Sequence, residues 1–205
     1  MKIHKLINDA YEQIHKIKHN LAYLYKFLIL IIPFLTIAFY FVFVFDYLSP
    51  EQDAKYGALT LAYFFPPAGK ESVIPLMLSD KIGPPLPAWV VWSTVVIMDV
   101  ISSAIIAYNW WLAEFIITHI PLLDRGYKAL QNKAEKYRKK KLLTLSLLLF
   151  MIIPFQGTGG ISTTILARLL GVRAKKTVMI VFTGSVITTT IWILWWLGFL
   201  NFLFR

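Results

Sequence analysis

Phe65-Pro66-Pro67-Ala68-Gly69-Lys70-Glu71 interrupts the apolar segment 57–79, and Pro154-Phe155-Gln156-Gly157-Thr158-Gly159-Gly160 interrupts the apolar segment 142–167. Proline removes a backbone donor and clashes with the preceding turn, and glycine disfavours a helix interior, so neither segment reads as one regular helix. Breaks at Pro66, Pro67 and Pro154 leave limbs of about ten to thirteen residues, about 15–20 Å of helix, which reach only halfway through a bilayer. Pro75 adds a second irregularity to the first segment. Limbs of that length make a re-entrant hairpin, which returns to the side it entered from.

The surroundings of these hairpins must therefore be lipid. The 205 residues are 58% hydrophobic and only 16% charged, with a mean hydropathy of +0.63; a soluble domain carries about a quarter charged residues. Three segments are long enough to cross: 27–45, which contains Pro33; 87–117, which contains Asp99; and 177–204, which holds no acidic or basic residue. Tryptophans mark the boundaries, with Trp89 and Trp92 at one end of the second segment and Trp110 and Trp111 near the other. Residues 27–205 form a single membrane domain with no room for a separate catalytic one. The absence of cysteine excludes disulfides, thiolate catalysis and Cys-ligated metals.

Basic residues orient the chain, because cytoplasmic loops hold most of them. Five lie in the first 26 residues, eight between Arg125 and Lys141, and four between Arg168 and Lys176, leaving Lys55, Lys70, Lys81 and Arg205. Only if both broken segments are re-entrant do the first three groups share one side. The expected fold is thus an all-α integral membrane protein with three spans and two oppositely oriented re-entrant hairpins, an inverted repeat. Its N-terminus is cytoplasmic and its C-terminus outside, in the inner or plasma membrane. Inverted repeats whose broken helices meet at the midplane are a plan of secondary transporters.

Ile3, Ile7, Ala10, Ile14, Ile17, Leu21 and Leu24 alternate steps of four and three residues, so 1–26 reads as an amphipathic helix. It is expected to lie on the inner membrane surface; pairing in a homodimer is the alternative. His15 and His19 are assigned to a solvated face, with no metal. Segment 122–141 is a basic connector helix that anchors its loop and attracts anionic lipid headgroups. It lacks the aromatic platform of a nucleic-acid site.

An ionisable group at bilayer depth is costly and therefore a candidate for function. Glu71 follows the first break beside Lys70, and Asp99 lies about 17 Å into the second span, too deep to snorkel. These three are the candidates for transport and proton or cation coupling. In the second hairpin Gly157, Thr158, Gly159 and Gly160, with Ser162 and Thr163, offer backbone N–H groups and hydroxyls to an anion, and Arg168 offers charge. No catalytic triad, metal motif or nucleotide loop is present, so no enzyme activity, cofactor or metal is expected.

Lys70-Glu71-Ser72-Val73-Ile74-Pro75-Leu76, the basic run 133–141, and Ile153-Pro154-Phe155-Gln156-Gly157-Thr158-Gly159 with Leu170-Gly171-Val172 resemble the small multidrug export protein family, and through it the DedA/VTT superfamily. The resemblance covers about residues 57–200. It departs from the usual pattern at Ser72, where family members often carry arginine, and at Gln156, where DedA-type relatives carry one. It implies a membrane transporter, and its DedA side implies carriage of a lipid phosphate such as polyprenyl phosphate. That is the leading expectation, with proton or monovalent-cation coupling. Export of amphipathic cations is the first alternative; uncoupled lipid scrambling or a membrane scaffold is the second.

Overall fold

The computed structural model describes residues 2–63, 69–119, 125, 127–128, 132, 141–152 and 159–199. Among them the fold is all-helical: α1 (Lys2–Tyr47), α2 (Pro50–Ala62), α3 (Lys70–Leu78), α4 (Ala88–Tyr108), α5 (Trp110–His119), α6 (Lys141–Ile152), α7 (Gly160–Leu169) and α8 (Ala174–Leu194), which ends in a π-helical turn, Trp195–Phe199. Three stretches are long and apolar enough to cross a membrane: Phe27–Tyr47, Ala88–Tyr108 and Ala174–Gly198.

These agree with the expected spans, with two corrections. The second span ends at Tyr108, because the backbone turns at Asn109 and a new helix starts at Trp110. Asn109 makes this stop itself: its side-chain amide donates to the Ile105 carbonyl and competes with the helix for that acceptor. The third span begins earlier, at Ala174, with residues 200–205 outside the described chain. The segment expected on the membrane surface is continuous with the first span, since Lys2–Tyr47 is one helix of 46 residues, about 69 Å long. Of the basic connector, only a few residues are described.

The long helices α4 and α8 pack side by side along their length and form the centre. Helices α3 and α7 both lean against this pair, α6 covers α8, and α1 lies against α4. Two apolar clusters result. One gathers Val44, Tyr56, Ile74, Val90, Val95 and Ile193 from five helices; the other gathers Leu147, Ala167, Val172 and Ile180. Since Ile193 and Ile180 sit toward opposite ends of α8, the clusters cap the middle of that helix from both sides.

Beyond the first cluster the loop 79–87 is clamped onto α2. Lys55, only 5% exposed, donates to the carbonyls of Ser79, Gly83 and Pro84, and Gln52 donates to that of Pro85. Gly83 takes φ +90°, which a side chain would oppose. Burial lowers the Lys55 pKa from its ordinary value, and the nearby Asp80 partly restores it. Lys55→Met removes every one of these ammonium contacts and leaves buried carbonyls unpaired. We expect a loss of about 2–3 kcal/mol, read as a lowered melting temperature and faster proteolysis within 79–87.

Candidate functional site

Between the two apolar clusters lies a closed polar centre. Asp99 is the twelfth residue of the 21-residue helix α4 and is 3% exposed, so its carboxylate sits at mid-span without reach to water. Four donors surround it. Lys70 Nζ approaches Oδ2 at 2.7 Å, and Ser185 Oγ donates to the same oxygen at 2.7 Å. Oδ1 accepts from the Tyr63 hydroxyl at 2.8 Å and from the backbone N–H of Gly160 at 3.2 Å. Lys70 completes its own set with Ser185 Oγ at 3.1 Å and Thr188 Oγ1 at 2.9 Å. An ammonium has three protons to give and a carboxylate has about four acceptor sites, so both groups are satisfied.

Local sequence puts each group there. Gly69 takes extended backbone before α3, and the Ser72 hydroxyl both accepts from the Gly69 N–H and donates to the Gly69 carbonyl, which fixes the helix start. Lys70 is then the first helical residue and points into the α4–α8 seam. Gly160 is likewise the first residue of α7, after Gly159. A Cβ at Gly160 would meet the Asp99 carbonyl oxygen at 2.8 Å and its Cα at 2.9 Å, so only glycine admits this approach of the two backbones. One turn further on, Thr164 donates to Ser103 at 2.7 Å and ties α7 to α4 again.

Glu71 stands apart from this balance. Its carboxylate folds back over Gly69, where an added Cβ would collide with it. Its Oε1 is buried and has no hydrogen-bond partner among the described residues. With Lys70 positive and Asp99 and Glu71 negative, the site carries a formal charge of −1.

Lys70, Asp99, Glu71, Gly159 and Gly160 are thus brought together. Pro66, Pro67, Pro154, Gly157 and Thr158 lie outside the described residues, and Pro75 is held within α3. Ser162 and Thr163 follow on α7, half-buried and buried. Arg168 is not at this centre. It lies eight residues beyond Gly160, about 12 Å along the helix, where it donates to the Val172 carbonyl and stacks over Trp110. The anion expected at the start of α7 is supplied by the chain itself, since Asp99 takes the Gly160 N–H. Tyr63, Ser185 and Thr188 were not among the sequence candidates, although hydroxyls in the middle of an apolar span were their available signal.

A family model with the description Putative small multi-drug export protein matches residues 72–191. The match starts one residue after Glu71 and includes Asp99, Gly160, Ser185 and Thr188. No curated protein and no solved structure matches.

Proposed function

The chain belongs to the small multi-drug export protein family, and from that premise we propose that it is a secondary transporter that exports amphipathic cations in exchange for protons. The observation that carries this reading is the buried Oε1 of Glu71, unpartnered among the described residues, beside a satisfied Lys70–Asp99 pair. A site of formal charge −1 in low dielectric favours a cation or a proton, and the exchange of one for the other keeps its charge balanced. In this scheme the cation and the proton compete for the Glu71 carboxylate, and one leaves as the other arrives.

An inverted repeat of re-entrant hairpins and spans accounts for how such a site would be reached from both sides. Helices α2, α3 and α4 have 13, 9 and 21 residues, and α6, α7 and α8 have 12, 10 and 21. Limbs of 9 to 13 residues are too short to cross about 30 Å of hydrocarbon. Asp99 and Ser185 are each the twelfth residue of their long helix. The first residue of α3 contacts Ser185, and the first residue of α7 contacts Asp99. That reciprocal pattern is what a pseudo-twofold axis in the membrane plane generates. The three crossings and the basic-residue count support an inside N-terminus and an outside C-terminus.

Carriage of polyprenyl phosphate has less support. Two carboxylates would oppose a phosphate, and Arg168 lies away from the site.

Reconstituted protein is expected to accumulate labelled tetraphenylphosphonium in liposomes under an imposed pH gradient. Glu71→Gln should lower the gradient-driven rate about a hundredfold, the scale of a lost proton-transfer group, in a protein that melts at the wild-type temperature. Unchanged accumulation in Glu71→Gln would remove Glu71 from coupling. Movement of labelled polyprenyl phosphate without movement of the cation would restore the lipid-phosphate reading.

A further inference from the structure

We propose that a line of hydroxyls on α2 carries protons between Asp99 and the surface at Asp53. The inference rests on the proton–cation exchange proposed above and names the route by which its protons reach the site. Asp53, Tyr56, Thr60 and Tyr63 follow one another at steps of three, four and three residues, the spacing of one helix face. From Asp53 to Tyr63 the stripe is about 15 Å long.

Both ends of the stripe are anchored. Asp53 lies in the first turn of α2 and is partly exposed, with its Oδ1 buried. Tyr63 closes the helix and donates to Oδ1 of Asp99 at 2.8 Å. Between them stands the apolar cluster of Val44, Ile74, Val90, Val95 and Ile193, with Tyr56 fully buried inside it. Asp99 is 3% exposed, so a proton arriving from this side has to cross that cluster. The Tyr56 hydroxyl meets Thr94 Oγ1 at 3.1 Å, and either oxygen can be the donor.

Thr60 stands between the two tyrosines and is buried. Thr36, Thr118, Thr164, Thr177 and Thr188 each donate to the carbonyl four residues earlier, the usual recourse of a helical threonine. The Thr60 hydroxyl makes no such bond, nor any other among the described residues. A buried hydroxyl left unpaired is costly, and valine would fill the same space without that cost. Nor does a limb of this length need polar residues there. In α6 the residues nine, six and two places before the helix end are Leu143, Ser146 and Phe150, where α2 has Asp53, Tyr56 and Thr60.

A hydroxyl passes a proton by accepting one on its oxygen while releasing its own, and then turning. Inward transfer breaks the O–H bond of protonated Asp53, exchanges one O–H bond at each of Tyr56, Thr60 and Tyr63, and forms one at Oδ1 of Asp99. The Thr60 hydroxyl turns to link the two tyrosines. Asp99, held ionised by Lys70, keeps the proton only in passing: its O–H bond breaks as one forms on Glu71. Outward transfer is the reverse.

The test uses the full chain in liposomes that enclose a pH-sensitive dye, with proton movement started by tetraphenylphosphonium added outside. Thr60→Val is expected to slow proton movement about a hundredfold, the scale of a lost proton-transfer group, while melting and equilibrium binding of the cation stay at wild-type values. Thr60→Ser keeps the hydroxyl and should restore the rate; Tyr56→Phe should behave as Thr60→Val. A packing role for Thr60 predicts the opposite order, since valine fits and serine leaves a gap. A wild-type rate in Thr60→Val or in Tyr56→Phe overturns the proposal, and so does slow movement in both Thr60 variants. If Glu71→Gln is slow in that same assay, the exchange reading stands without this path. A slow Thr60→Val beside an unimpaired Glu71→Gln supports the path and leaves Asp99 as its end. Wild-type protein that moves no proton with the cation overturns both.

Discussion

Lys70→Met is expected to destabilise the protein by about 3–5 kcal/mol, the cost of leaving one member of a buried ion pair without the other. Methionine fills a similar volume, so the loss is electrostatic and not a cavity effect. Asp99 would keep Tyr63, Ser185 and Gly160 as donors but lose the ammonium paired with it, and Ser185 and Thr188 would lose a donor to their oxygens. Adding Asp99→Asn removes the orphaned charge, so the double variant should melt above Lys70→Met alone. Thermal unfolding in detergent measures this ordering. A double variant no more stable than the worse single one would mean that the pair is not a coupled unit in the folded protein.

Gly160→Val is expected to be the most damaging neutral substitution in the chain. The added carbons enter space held by the α4 backbone at Asp99, and backbone cannot rotate away as a side chain can. Overpacking alone costs about 1–3 kcal/mol, and displacement of α7 also removes the N–H from Asp99. Gly184→Ala is its control: there the neighbour is the side chain of Met151, whose thioether is flexible and can move. Gly160→Val should leave little folded protein by size-exclusion chromatography, whereas Gly184→Ala should remain monodisperse. Equal behaviour of the two would contradict the close crossing of α7 and α4.

How far the sequence reaches is clearest at this crossing. Asp99 stands out as a charge at mid-span, and Gly159-Gly160 as a break, because each violates the apolar helical pattern around it. That they meet is invisible in the pattern, since sixty residues separate them and no local rule encodes the contact. Ser185 and Thr188 were overlooked because a hydroxyl in a span is inexpensive; it can bond back to its own helix, as Thr188 does to the Gly184 carbonyl. Arg168 was drawn to the wrong end of its helix by charge alone. The spans were legible because hydropathy over some twenty residues is a strong signal, whereas Asn109 ended α4 early through one side-chain hydrogen bond that hydropathy does not register. The run from Lys2 to Lys26 changes in composition at Phe27 without any helix breaker, and one helix runs through that change.

The distribution of charge within the central network also bears on how the protein is made. Lys70 and Asp99 lie on helices that leave the ribosome early, 29 positions apart, while α7 and α8 follow much later. The later helices bring only an N–H and hydroxyls to the same place. During membrane insertion the two ions can therefore neutralise each other within the first half of the chain. The second half then enters the bilayer without having to carry a charge to its centre. Placing one of the ions on α8 would reverse that economy, because each half would have to wait in lipid with an unmatched charge. The arrangement lets synthesis proceed from the N-terminus without separating Lys70 from Asp99.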